Sequence, residues 1–184
     1  MLIAGGGRVA ERKITSLLST EAVVLVVAPE VTPHIAHLAE SGAIKLKSAC
    51  YESVDLAGVF LAVAATCNSE VNRQIADDAR RLGILVSVSD EPDSGNCSFP
   101  AMLRRGALEI GVSTQGSCPA FAAEIRDLLA TIIGDEFGTM LERLAAEREK
   151  LLTEGTPSTY NGTVLRSRAR ELIDEFLNHE ERVP

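Results

Sequence analysis

Met1-Leu2-Ile3-Ala4-Gly5-Gly6-Gly7-Arg8-Val9-Ala10 opens the chain. Leu2 to Ala4 reads as a strand and the three glycines as a tight turn. A helix then runs from Arg8 to Ser19, with Val9, Ala10, Ile14, Leu17 and Leu18 on one face. The stretch matches G-x-G-x-x-[G/A]. Gly5 allows the turn, Gly7 lets a backbone approach a pyrophosphate, and the small Ala10 lets helix and strand pack closely. Free N–H groups at the helix start suit phosphate oxygens. The motif alone is weak, and a glycine turn without a ligand is the alternative. Its place between a strand and a helix, with a second buried strand about 20 residues on, is the context that makes it a dinucleotide fingerprint. The strand is short beside the usual length of about 5 or 6 residues, as though a leading segment had been trimmed or the start codon placed late.

The pattern continues as alternating strands and helices. Val23 to Val27 reads as a buried strand ended by Pro29, and Thr32 to Ser41 as a helix with Thr at its N-cap and Pro33 in its first turn. Ile44 to Ser48 is a short strand, Val54 to Ala57 a connector and Val59 to Ala65 a buried strand. Ser69 to Leu82 is an amphipathic helix that Ser69 is expected to cap and Gly83 to stop. Ile84 to Val88 is a further strand, closed by Ser89-Asp90. This spacing predicts βαβ units and a parallel sheet.

After Asp90 the character changes. Glu91 to Asn96 is a loop. Ala101 to Leu103 and Leu108 to Ser113 read as two strands joined through Arg104-Arg105-Gly106, and Pro119 to Ile133 as a long helix broken at Gly134. From Asp135 charged helix formers dominate: Glu136 to Leu152, a polar break at Thr153 to Thr163, and a helix to about His179. The expected fold class is α/β, a Rossmann-like parallel sheet followed by a small α+β dimerisation segment and a C-terminal helical region. The expected divisions are residues 1–99, 100–133 and 134–184. Residues 100–133 carry too little apolar sequence for a core of their own, so a two-fold pairing with a second copy is expected.

Composition narrows the function classes. The chain has 184 residues, 46% of them hydrophobic and only 4% aromatic, so the core must be aliphatic. A net charge of -8 argues against general nucleic-acid binding, which needs a basic face. It leaves room for a small anionic ligand in a local basic pocket. Cys50, Cys67, Cys97 and Cys118 form no CxxC pair, which argues against a structural zinc site. Apolar runs fall far short of the roughly 20 residues of a membrane span. Scattered cysteines with no signal-peptide pattern predict a cytoplasmic protein.

Candidate site residues cluster at the carboxyl edge of the expected sheet, where open α/β sheets bind ligands. Glu30, just past the second strand, is a candidate acid for an adenosine ribose; the other reading is a helix-start acid. With no Lys or Arg directly after it, a 2′-phosphate lacks a partner, which favours NAD over NADP. Arg8 beside the phosphate turn argues the other way. Asp90, ending the last strand, is placed as a general base beside a nicotinamide, or else is a loop carboxylate. Ser113 to Pro119 is a second glycine-containing turn that opens a helix and offers N–H groups and hydroxyls to an anion. Arg104, Arg105 and Arg126 lie near it. They either grip a polycarboxylate or are solvated. His34 and His37 lack a completing metal ligand, and Cys97 and Cys118 read as small apolar fillers.

These residues in this order resemble precorrin-2 dehydrogenase, a family that includes the amino-terminal half of siroheme synthase. The resemblance is carried by GGGRVAERK at Gly5 to Lys13, VVAPE at Val26 to Glu30, AAT at Ala64 to Thr66, SVSD at Ser87 to Asp90 followed by FPA, RRG at Arg104, and the Ser113 to Ala120 turn. It implies a Rossmann domain, an interlocked homodimer, NAD as oxidant, and oxidation of precorrin-2 to sirohydrochlorin in siroheme biosynthesis with Asp90 as the catalytic residue. Some members also insert ferrous iron, so a bifunctional dehydrogenase and sirohydrochlorin ferrochelatase is the rival enzyme reading. A non-catalytic NAD or tetrapyrrole sensor is the reading from another class. The cofactor site is expected at Gly5, Gly7, Arg8 and Val9, at Pro29 and Glu30, and at Ala65 and Thr66. The substrate site is expected at Arg104, Arg105, Ser113, Thr114 and Gly116. Three departures from the family pattern stand out. The segment ahead of the first strand is missing. The turn usually reads STGG or SSGG with a following Ser-Pro, where this chain has Gln115 and Cys118. Cys67-Asn68 replaces the acidic pair after AAT.

Overall fold

The computed structural model describes residues 1–18, 20–153 and 162–180. The chain divides into two compact units, Met1–Phe99 and Pro100–Pro184. In the first unit five parallel strands lie in the order β3-β2-β1-β4-β5: β1 (Leu2–Ala4), β2 (Leu25–Val27), β3 (Lys45–Lys47), β4 (Leu61–Ala64) and β5 (Leu85–Val88). Between them run α1 (Arg8–Leu17), α2 (Pro33–Glu40) and α3 (Ser69–Arg81), with a 3₁₀ turn at Ser53–Leu56.

Strand alternation decides which helix covers which face. Ile3, Val26 and Val63 pack with Ala10, Ile14, Leu17 and Ile35 of α1 and α2. Leu2, Ala4, Ala62, Ala64, Val86 and Val88 pack with Ile75, Ala76 and Ala79 of α3. β1, β2 and β4 are thus buried on both sides, which is why they read as continuous apolar runs, whereas the edge strand β3, Lys45-Leu46-Lys47, alternates.

The strands are shorter than the apolar runs predict. The run from Val23 pairs only from Leu25, and Val23 is 66% exposed; the run from Val59 pairs only from Leu61, with Phe60 61% exposed. Register explains both. Leu2, the first residue of β1, pairs with Leu25 and Ala62, and beyond that register only single hydrogen bonds continue, Met1 N donating to Val23 O and Leu85 N–H to Phe60 O. On the other side of the sheet from α1 and α2, Asp78 of α3 is buried and accepts hydrogen bonds from Tyr51 and Ser53, tying the 3₁₀ segment to the helix.

The ends of the helices follow local chemistry. Thr32 caps α2, accepting from Ile35 N–H at 3.3 Å with Pro33 in the first turn. The cap of α3 is Asn68, one residue earlier than expected: its side-chain oxygen accepts from Glu70 N–H at 2.9 Å and Val71 N–H at 3.3 Å. Ser69 is left free for another partner. The last residue expected in α1, Ser19, lies outside the described residues, as does most of the polar break expected from Thr153 to Thr163.

In the second unit β6 (Ala101–Arg105) and β7 (Leu108–Val112) form an antiparallel hairpin. It is followed by α4 (Pro119–Ile132), α5 (Glu136–Thr153) and α6 (Gly162–Glu180). β6 runs two residues beyond its expected end, so both arginines lie in the ladder, Arg104 paired with Glu109 and Arg105 with Leu108. Phe137 and Phe176 meet edge to face at 5.4 Å, joining α5 to α6. No helix among the described residues is long and apolar enough to cross a membrane.

The observed cap gives a direct test. Asn68→Ala is expected to lower unfolding free energy by about 1 kcal/mol, read as an earlier urea midpoint at unchanged slope. An unchanged midpoint would show that the side chain does not hold the helix start.

Candidate cofactor and active site

The strand order reverses direction between β1 and β4, and the carboxyl ends of these two strands bound the ligand crevice of an open α/β sheet. Three glycines there do three different jobs. Gly5 turns the chain with φ +121°, and a Cβ on it would stand 2.3 Å from the carbonyl oxygen of Ala65. A Cβ on Gly6 would stand 2.0 Å from the carbonyl oxygen of Glu30. The sequence motif treats this middle position as free, yet the β2–α2 loop closes over it and Thr32 N–H donates to Gly6 O at 2.9 Å. Gly7 meets nothing within 4 Å. The first two glycines are therefore demanded by the fold, while the third faces open space.

That open space lies at the start of α1. Gly7 is the N-cap and makes no side-chain cap, so the first-turn N–H groups have no side-chain acceptor there. Arg8 and Val9 are exposed beside it, and the buried Ala10 packs beneath. Pro29 and Glu30 are exposed on the neighbouring loop. The loop is fixed by Thr32, whose hydroxyl donates to the Glu11 carboxylate on α1. A glycine edge with room for a phosphate, uncapped helix N–H groups and an adjacent exposed carboxylate fit a dinucleotide.

Ala65 continues the edge beyond β4, its N–H donating to Ala4 O at 2.8 Å. Thr66 is tied to α3 through Asn72. The amide oxygen of Asn72 accepts from Thr66 N–H at 3.1 Å and from the Thr66 hydroxyl at 2.7 Å, and its NH₂ donates to Thr66 O at 3.2 Å. The same NH₂ donates to Asp90 at 2.9 Å, and the Ser69 hydroxyl donates to the other Asp90 oxygen at 2.8 Å. Partial desolvation pushes the Asp90 carboxyl up, but the hydrogen bonds from Ser69, its own backbone N–H and Asn72, with the charge of Arg73, outweigh it, and its pKa lies below the usual carboxylate value. The adjacent Ser89 hydroxyl is buried with no hydrogen-bond partner among the described residues.

In the second unit the Ser113 to Pro119 turn is organised by its own side chains. Ser113 Oγ accepts from Gln115 N–H at 3.1 Å and Thr114 Oγ1 from Cys118 N–H at 3.2 Å. Gln115 and Gly116 are both left-handed, with φ +54° and +84°. Glycine adopts that conformation freely, whereas Gln115 bears a strain of about 1 kcal/mol. The two arginines of the hairpin are occupied. Arg104 pairs with Glu109 across the strands at 2.7 Å. Arg105 donates to Ile133 O at 2.8 Å and Ala130 O at 3.2 Å, closing the end of α4.

Residues 1–101 match a family model described as "Putative NAD(P)-binding". The chain is 33% identical over 150 residues to precorrin-2 dehydrogenase of Bacillus subtilis, covering 82% of this chain and 92% of that protein. This chain belongs to the precorrin-2 dehydrogenase family. It is also 40% identical over 156 residues to siroheme synthase of Methylococcus capsulatus, covering 85% of this chain and 33% of that protein. It thus spans about a third of the length of the siroheme synthases it matches. A solved structure, SirC, a precorrin-2 dehydrogenase, superposes with TM-score 0.74 at 24% identity over 96% of this chain and 93% of that one, a likeness of fold.

Within this precorrin-2 dehydrogenase family member, Asn72 and Ser69 are the residues bonded to Thr66 and Asp90 that the sequence pattern did not single out. One signal for Asn72 was present: it stands on the buried stripe of α3 with Ile75, Ala76 and Ala79. A polar side chain on such a stripe must find partners inside. Ser69 was assigned to the helix cap that Asn68 supplies.

The unequal roles of the glycines are testable by NAD calorimetry paired with thermal unfolding. Gly7→Asp is expected to fold and to lose NAD binding, by placing a carboxylate against the pyrophosphate. Gly5→Ala is expected to destabilise the fold itself. A folded Gly7→Asp protein with unchanged NAD affinity would remove the cofactor site from this edge.

Proposed function

We propose that the chain oxidises precorrin-2 to sirohydrochlorin with NAD as oxidant. The observation that carries this reading is the placement of Asp90. It is a carboxylate at the carboxyl end of β5, hydrogen-bonded to the same Asn72 that holds Thr66 at the edge lined by the glycine turn. NAD would be held by the backbone of Gly5, Gly7, Arg8 and Val9, by the Pro29-Glu30 loop and by Ala65 and Thr66, and when bound it supplies the hydride acceptor. The exposed Glu30 carboxylate suits a ribose 2′-hydroxyl rather than a 2′-phosphate, which supports NAD over NADP.

Oxidation takes a hydride and a proton from the macrocycle. The Asp90 carboxylate accepts from Ser69, from Asn72 and from its own backbone N–H, and lone pairs remain to accept a proton or a pyrrole N–H. Its lowered pKa keeps it ionised at neutral pH. The same property makes it a weak base, so orienting the macrocycle is as large a part of its role as taking the proton. Ser113, Thr114 and Gly116 are proposed to meet the substrate carboxylates. Arg104 is proposed to join them by exchanging Glu109 for a substrate carboxylate. Arg105, tied to the end of α4, would contribute only its charge.

Conversion of precorrin-2 to sirohydrochlorin with NAD, followed by absorbance, is the test; no turnover would end the reading. Asp90→Asn is expected to keep NAD binding and to lose turnover by roughly 10² to 10⁴. A raised KM with kcat spared would assign Asp90 to substrate holding alone, and full activity would remove it from the mechanism.

We further propose that the protein is a cytoplasmic homodimer. All four cysteines are free, as a reducing compartment requires. The hairpin and α4 bury little by themselves: Phe121, Leu128 and Ile132 of α4 are each more than half exposed. Light scattering at micromolar concentration is expected to give twice the chain mass, and a monomer mass would count against the dimer.

A further inference from the structure

Asp90 is gripped from one place. Ser69 and Asn72 are three residues apart at the start of α3, hence on one face of its first turn. Each donates to a different oxygen of the Asp90 carboxylate, at 2.8 Å and 2.9 Å. Asn72 is 1% exposed and its amide is fully engaged, both polar atoms serving Thr66 and the NH₂ serving Asp90 as well. An amide buried on an apolar helix face costs stability unless it is satisfied, and here every partner lies on the sheet's carboxyl edge rather than in the core.

We propose that Ser69 and Asn72 are positioning residues for the reaction: together they fix both oxygens of the Asp90 carboxylate, and Asn72 sets that carboxylate at a constant offset from Thr66 on the cofactor edge. The inference rests on the reading of Asp90 as the group that meets the substrate. With a side-chain donor on each oxygen and its own backbone N–H bonded as well, the carboxylate is held against rotation about its Cβ–Cγ bond, so its remaining lone pairs keep one direction. Because Thr66 and Asp90 hang from the same amide, a shift of one edge loop carries the other with it. The charged groups around the carboxylate are Arg73, from the next turn of α3, and Glu91, the following residue, and these two pair with each other at 3.6 Å. They leave neutral donors as the direct hold on Asp90: the side chains of Ser69 and Asn72, and its own backbone N–H.

The test uses the full chain with precorrin-2 and NAD, reading kcat and KM against pH for Ser69→Ala, Ser69→Thr and Asn72→Ala. Ser69 is exposed, so Ser69→Ala is expected to fold even where Asn72→Ala does not. Ser69→Ala is expected to lower kcat roughly tenfold to a hundredfold, with NAD affinity unchanged, as misplacement of a reacting group does. Losing a donor disfavours the ionised carboxylate, so the acid limb of kcat moves to higher pH. Ser69→Thr, which keeps the hydroxyl, is expected to restore both. In the Asp90→Asn background the Ser69→Ala effect is expected to vanish, because the coupling runs through that carboxylate. If Asp90→Asn is impaired while Ser69→Ala and Asn72→Ala keep the parent kcat and pH profile, the positioning role is overturned and the Asp90 reading stands. An equal loss from Ser69→Ala with and without Asp90 also overturns it, since Ser69 would then act elsewhere. A fully active Asp90→Asn protein sinks the Asp90 reading and the positioning role with it.

Discussion

Gly5 and Ala65 are so close that a single methyl group on Gly5 would stand 2.3 Å from the Ala65 carbonyl oxygen. Two neighbouring parallel strands, β1 and β4, leave the sheet at this point and turn away in opposite directions. The closeness is set by their register, Ala4 beside Ala64, and by the Ala65 N–H that donates to Ala4 O. With a larger residue at Gly5 the strands would separate and the crevice at their ends would lose its floor. The helix start at Gly7, the β2–α2 loop over Gly6 and the Thr66 loop are all placed by that contact.

Polar groups at the edge are arranged economically. Asn72 serves both Thr66 and Asp90 from inside the apolar face of α3, where an unpaired amide would be costly. The stability of this corner and the geometry of the site therefore depend on the same hydrogen bonds. The carboxylate is kept ionised by neutral donors, with the Arg73 charge adding to them. A group held this way keeps its charge as pH falls toward its lowered pKa, and the stability its pairing contributes declines as pH falls from the ordinary carboxylate value through that lowered one.

The second unit contrasts with the first. Its arginines close a helix end and cross a hairpin, and its turn satisfies its own N–H groups through Ser113 and Thr114. Gln115 occupies a left-handed position that glycine would take without cost. The strain is retained at a turn proposed to meet the substrate, where backbone strain is most often found.

Much of the first unit was legible in the sequence. Buried strands alternated with amphipathic helices, and the glycines stood between strand and helix, so the parallel sheet, the glycine turn at its carboxyl edge and the position of Asp90 at a strand end followed from local pattern. Periodicity and turn chemistry are short-range properties, and each was written within a dozen or so residues. Several features were not legible. Strand lengths depended on which residues found a neighbouring strand, so Val23 and Phe60 fell outside the ladder despite their apolar character. The need for Gly6 came from a carbonyl 24 residues away in the chain, at Glu30. Asn68 rather than Ser69 capped α3, and that choice released Ser69 to Asp90, 21 residues on. Arg105 went to the end of α4 instead of standing free for an anion. The sequence by itself determined which segments would be strands and helices and which edge would carry the glycine turn and Asp90. Only the tertiary structure decided which polar side chains meet there, because a hydrogen bond between distant residues depends on distances that no local pattern contains.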